Sequence, residues 1–134
     1  MSHELFHVSG KAVLFNENRD KIVLLHHEYG FSIPGGHLEK DESIKDALLR
    51  EIKEELDVDY DGELRLADAH KYYPRQTETG KVDLYFVGTL AESAPISTEN
   101  SGDDITDWEW APVNKILNGD YEDWLKNLLE EILK

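Results

Sequence analysis

Residues Gly36 to Val58 read GHLEKDESIKDALLREIKEELDV, a glycine turn feeding a charged segment of helical periodicity. On a helix of about 3.6 residues per turn, Glu51, Glu54 and Glu55 stand at i, i+3 and i+4 and so project from one face. The same register sets Glu51 and Glu55 beside Ile44 and Leu48, the apolar stripe that must face the protein, and leaves Asp46, Arg50 and Lys53 on the opposite, solvated arc. An acid-rich helix in an acidic protein is ordinarily a wet surface. Carboxylates that border a core differ, because at this density they repel or take up protons unless a cation neutralises them. Oxygen donors without a neighbouring cysteine point to a hard divalent ion, Mg2+ or Mn2+, rather than zinc.

Composition narrows the field. A chain of 134 residues is expected to form a single domain, 1–134, that buries roughly two-thirds of the surface of its unfolded form. With 14 basic against 29 acidic residues, the net charge is -15. No basic stretch is long enough to follow a nucleic-acid backbone, so DNA and structured RNA are unexpected partners. The absence of cysteine excludes disulfides, a thiol nucleophile and a zinc–thiolate site. The opening MSHELFHVSG lacks the apolar run of a signal peptide, and no segment approaches the ~20 apolar residues of a membrane span. The cytoplasm is the expected location, with no membrane partner.

Outward from the acidic segment, Val8 to Phe15 and Lys21 to His26 read as a strand hairpin around the polar turn Asn16 to Asp20. The run Ile22 to Leu25 suits a sheet buried on both faces. Phe31-Ser32-Ile33 is a short extended piece before Pro34, and Gly35-Gly36 is expected to turn the chain directly into a helix beginning near Asp41 to Ser43. Leu64 to Tyr73 and Val82 to Leu90 read as strands around Thr79-Gly80, and Trp108 to Ala111 as another. Pro112 opens a short helix ended by Asn118-Gly119. Asp120 is expected to cap a last helix whose Trp124, Leu125, Leu128, Leu129, Ile132 and Leu133 form one stripe. That stripe covers a sheet face or, where exposed, forms a homodimer contact; monomer and homodimer both stay open.

The segment resembles the signature of the Nudix hydrolases: Gly, five residues, Glu, seven residues, Arg-Glu, an aliphatic, any residue, Glu-Glu, any residue, Gly, an aliphatic. Gly36, Glu42, Arg50, Glu51, Ile52, Glu54, Glu55 and Val58 match it, over about a sixth of the chain. Asp57 stands where the family has a glycine helix cap, which bears on the cap geometry and not on the chemistry. The resemblance implies an α/β fold, an α/β/α sandwich with a mixed central sheet, and Mg2+-dependent cleavage of a phosphoanhydride bond in a nucleoside diphosphate linked to another group. It implies Glu51, Glu54 and Glu55 as metal ligands, with Glu51 as the base that takes the proton of the attacking water, although in parts of the family the base comes from a loop. It implies the carbonyl of Gly35 in the metal shell, Arg50 as the partner that orients a box Glu, and Glu42 as support rather than base. A further acidic ligand often precedes the last strand, which selects Asp104, with Asp103 and Glu99 as neighbours able to substitute; a merely solvated acidic loop is the alternative. A Nudix-fold nucleotide sensor without turnover is the alternative function, although lapsed members commonly lose the Arg-Glu or Glu-Glu pair that this chain keeps.

For the substrate, His37 is set inside the box, and Phe31, Tyr72 and Tyr73 have rings able to stack on a base, although strand aromatics more often pack in the sheet. His26, His27 and His70 are also able to contact a phosphate or a base, although most of the histidines read as bystanders. No extended coenzyme A or NADH motif is present, and Tyr72-Tyr73-Pro74 is compatible with both dinucleoside-polyphosphate and ADP-ribose enzymes. The expected partner is a small nucleotide: a nucleoside triphosphate, ADP-ribose or a dinucleoside polyphosphate. The charge disfavours capped messenger RNA.

Overall fold

A computed structural model describes residues 3–75, 79–102 and 104–134. Its elements are β1 (Phe6–Phe15), β2 (Lys21–His27), β3 (Gly30–Ser32), β4 (Gly35–His37), α1 (Ile44–Leu56), β5 (Arg65–Tyr72), β6 (Gly80–Thr89), β7 (Ile105–Pro112), α2 (Val113–Leu117) and α3 (Asp123–Ile132). The strands run in the order β3-β2-β1-β6-β5, with β4 paired to β1 and β7 to β2. The β1–β6 pair is parallel along ten residues, and the remaining pairs are antiparallel. The sheet is therefore mixed, as expected.

Side-chain alternation on β1 and β2 builds both cores. Val13, Phe15, Ile22 and Leu24 point to the face covered by Ile116 of α2 and Leu125, Leu128 and Leu129 of α3. Ala12, Leu14, Val23 and Leu25 point to the other, against Leu48, Ile52 and Leu56 of α1. All eight strand residues are fully buried, the condition that a continuous apolar run on a central strand predicts. The result is the α/β/α sandwich. Among the described residues, no helix is long and apolar enough to cross a membrane.

Several local expectations change. Gly35 and Gly36 do not turn straight into the helix; they form β4 on β1, with Gly10 opposite Gly36 and Lys11 opposite Gly35. Gly35 has φ 149°, and a Cβ there would overlap the Gly10 carbonyl, so only glycine lets the strand lie this close. Ile44, in the first turn of α1, is 38% exposed instead of buried. Gly80 belongs to β6 and not to the preceding turn. Helix α3 takes Glu122 rather than Asp120 as its N-cap, without a side-chain cap bond. On its stripe Trp124 and Leu133 remain partly exposed.

The two ends of α1 are set by local chemistry. The Ser43 hydroxyl accepts the Asp46 N–H at 3.1 Å, as an N-cap does. Asp57 takes the left-handed conformation, φ 57° and ψ 38°, and its N–H closes on the Lys53 carbonyl at 3.0 Å. A pair between Lys53 Nζ and Asp57 Oδ1 at 3.2 Å accompanies this cap. Asp thus serves where the family signature has glycine.

Candidate active site

Strand β4 and helix α1 face each other, and their contact fixes the acids. Glu55 is 6% exposed, and its Oε1 accepts the Gly35 N–H at 2.8 Å. Glu51 lies under Gly36 so closely that a Cβ on residue 36 would come within 2.5 Å of its Oε1. Glu54, one residue before Glu55, remains about half exposed. The acids thus border the core to different depths, which the helical register explains: Glu55 falls among the buried set Ala47, Leu48, Ile52 and Leu56.

Arg50 departs from the expectation that it faces away from these acids. Its Cα lies on the outer arc, but a long side chain reaches sideways along the helix. The guanidinium bonds Glu42 through Nη2 at 2.8 Å and Nε at 3.1 Å, Glu51 through Nη1 at 2.9 Å, and Glu54 through Nη1 at 3.4 Å. Nη2 also donates to the His37 carbonyl at 3.3 Å. The planar, five-donor guanidinium suits such a junction; an ammonium does not. Its hydrogen bonds with Glu42, then Glu51, raise the Arg50 pKa far above the ordinary arginine value, so it is permanently charged. In return, Arg50 and the Glu39 N–H hold the Glu42 carboxyl below its usual range.

Beside Glu55 opens a cavity of about 450 Å³, lined by Lys11, His27, Ser32, Gly35, Glu55 and Asp104 among others. Gly35, Glu55 and Asp104, far apart in sequence, share it. Asp103 lies outside the described residues, and Glu99 does not line this cavity. Among the described residues, no three His, Cys, Asp or Glu side chains converge in a metal-holding group; Arg50 bonds Glu51 and Glu54, and the Gly35 N–H bonds Glu55. The donor chemistry nevertheless fits a hard divalent cation: carboxylate and carbonyl oxygens beside a cavity, without thiol.

The four residues considered for substrate contact do not meet in one place. His37 lines a separate cavity with Phe6, His7 and Lys81, its Nδ1 3.2 Å from the Ser9 hydroxyl. Phe31 packs edge-on between His26, at 4.9 Å, and Tyr121, at 5.7 Å. Tyr73 packs against Phe6 and donates to Glu4 at 2.8 Å. Tyr72 lines a cavity of about 610 Å³ with Asp83, Tyr85, Trp124 and Lys11. This cavity adjoins the acidic one, since Lys11, Ser32 and Ile33 line both.

Lys11 and Asp83 are the residues that sequence reasoning passed over. The signal was there: each stands two residues before a buried residue, Val13 or Tyr85, so that alternation sets it toward the same interior face.

A family model described as NUDIX domain matches residues 5–132. Among curated proteins no sequence matches. Solved structures do: the MutT protein from Methanosarcina mazei Go1 (TM-score 0.74, 20% identity, 98% of this chain and 96% of that one); a C. elegans Ap4A hydrolase (TM-score 0.73, 18% identity, 93% of each); and the NUDIX domain of Shewanella oneidensis NrtR, solved with ADP ribose (TM-score 0.72, 18% identity, 98% of this chain and 87% of that one). At these identities the likeness establishes the fold.

Proposed function

The chain belongs to the NUDIX domain family, and on that premise we propose that it is a hydrolase dependent on Mg2+ or Mn2+, cleaving a phosphoanhydride bond in a small nucleoside diphosphate linked to another group. The observation that carries this reading is the placement of Glu55: a carboxylate 6% exposed, on a cavity that also takes in Gly35 and Asp104. One of its oxygens accepts the Gly35 N–H, and a cation in the cavity would further offset the cost of burying its charge.

In this reading Glu54 and Glu55 are the main metal ligands, with Glu51, the Gly35 carbonyl and Asp104 completing the set. A bound divalent ion neutralises pyrophosphate charge and makes the attacking water easier to deprotonate. Glu51 accepts the proton of that water. Arg50 sets the direction of the Glu51 carboxylate, and Glu42 fixes Arg50 by two bonds. With Arg50 tied to the acids, Lys11 is the cation lining both cavities and is free of that network. The substrate is a nucleoside triphosphate, ADP-ribose or a dinucleoside polyphosphate.

The test is phosphate release, with a coupling phosphatase, over nucleoside triphosphates, nucleotide sugars, ADP-ribose and dinucleoside polyphosphates, with and without Mg2+ or Mn2+. Turnover that requires the metal and falls by roughly 10²-fold or more in Glu54→Gln and Glu55→Gln is expected. Full activity of both variants, or of the wild type in EDTA, sinks the metal-ligand roles. Binding without any turnover favours a sensor.

A further inference from the structure

Asp83 is a carboxylate 7% exposed, in the middle of strand β6, and it lines the 610 Å³ cavity next to the acidic one. Around it the cavity carries rings, Tyr72 from β5, Tyr85 from β6, Trp124 from α3 and His70 set edge-on to Tyr85 at 5.1 Å, with the lysines Lys11 and Lys71 at its wall. Flat, mostly apolar walls favour a planar ring, because stacking is sequence-tolerant and every base has a π-face. A buried carboxylate among such walls is costly unless donors answer it. The Tyr72 and Tyr85 phenols face it; burial, then the nearby Asp83 charge, raises the pKa of both. Each phenol has a single proton to give, whereas an ionised carboxylate has about four acceptor sites. Beyond those two phenol protons, acceptor sites remain for the donors at the cavity, where Lys11 and Lys71 also stand.

The base chemistry that uses it is restrictive. A ring N–H adjacent to an exocyclic amino group presents two parallel donors, which one carboxylate takes in bidentate fashion. Guanine has that edge. Adenine and cytosine set their amino group next to a ring-nitrogen acceptor, whose lone pair would oppose the carboxylate.

Resting on the nucleotide-hydrolase reading above, we propose that Asp83 selects the base: the aromatic cavity takes a ring with adjacent N–H and amino donors, guanine or the like-edged pterin, and Asp83 accepts from both. Lys11, lining both cavities, stands where a base in one would connect to a pyrophosphate in the other. Its ammonium meets the phosphate at that junction.

The experiment is calorimetric titration of the whole protein with α,β-imido triphosphates of guanosine, inosine and adenosine, with a pterin triphosphate as a fourth arm. Inosine keeps the ring N–H and lacks the amino group. Guanosine is expected to bind tightest, inosine roughly 10-fold weaker and adenosine roughly 100-fold weaker. The pterin arm tells which ring carrying that edge fits the walls. Asp83→Asn, which offers one acceptor and one donor group, should bring guanosine within about threefold of inosine. A flat wild-type series, or an unchanged ranking in Asp83→Asn, overturns the proposal; should that variant fail to fold, the wild-type ranking alone decides. Metal-dependent hydrolysis with a flat base ranking removes the role of Asp83 and leaves the hydrolase reading standing. Absence of both binding and turnover removes the two together.

Discussion

Glu51 occupies the space that a side chain at residue 36 would need: a Cβ on Gly36 would lie 2.5 Å from its Oε1 and 2.7 Å from its Cδ. The nearest obstacle is the far end of a flexible side chain, so it yields. Gly36→Ala is therefore expected to fold normally but to displace the proposed base, and a misplacement near 1 Å can cost about 10²-fold in rate. Steady-state kinetics beside a thermal melt checks this; unchanged kcat shows that Glu51 is not held by that contact.

Gly35→Ala should behave differently. Its obstacles are backbone, the Gly10 carbonyl and the Lys11 Cα, and its φ of 149° is closed to a side chain. Loss of about 2 kcal/mol or more in urea denaturation is expected. A melt equal to wild type would mean that β4 can lift off β1 without penalty.

Arg50→Lys keeps the charge and loses the fork. One ammonium cannot bond Glu42 at two points while also reaching Glu51, Glu54 and the His37 carbonyl. Turnover is expected to fall roughly 10- to 100-fold with KM changed little, because the residue acts by positioning an acid. A variant equal to wild type in kcat would reduce Arg50 to a counter-ion.

Acid sensitivity follows from the same junction. Glu42 titrates below its ordinary 4.5 in the folded protein, so the folded state binds this proton less readily than the unfolded chain. Its stabilisation is present in full above that ordinary value and is lost as pH falls through the lower, folded one. Glu42→Gln should therefore melt below wild type at pH 7, with the gap closing in the pH range below 4.5. A gap that persists unchanged to low pH would show that Glu42 acts by packing and not by charge.

Asp57 carries the cap of α1 in left-handed backbone. Asp57→Val should cost about 1–2 kcal/mol, since a β-branched residue is disfavoured there. Asp57→Gly should match or exceed wild type, offsetting the lost Lys53 pair by easier backbone. Chemical denaturation of the two variants separates them; equal midpoints would contradict the cap assignment.

How much of this was legible in the sequence depends on the range of the forces involved. The central buried strands and helix α1 are written in short periodicities, and those read correctly; the sandwich with its mixed sheet was implied by the resemblance of residues 36–58 to the Nudix signature. Glu55 could be placed at the core because its position follows from four-residue spacing. Register could not place Arg50, since it fixes only the Cα and a flexible side chain chose its partners; its pairing with a box Glu was implied by the resemblance alone. Strand β4 was hidden because its pairing with β1 joins residues far apart and depends on what glycine omits. Tyr72 was singled out beside Tyr73, but only strand pairing reveals that Tyr72 alone of the two lines the cavity next to the acids.

The parallel ladder from Phe6↔Gly80 to Phe15↔Thr89 ties together segments roughly seventy residues apart. Lys11 and Asp83 ride on its two strands. Helix α1 with its acids can begin to form from neighbouring residues alone, but the aromatic cavity exists only after β6 has been made and has found β1. On a growing chain, helix α1 is therefore free to form early, whereas the cavity beside Glu55 waits for Asp104 and the aromatic one for β6 and for Trp124, so both halves of the cleft are completed only when nearly the whole domain has been made.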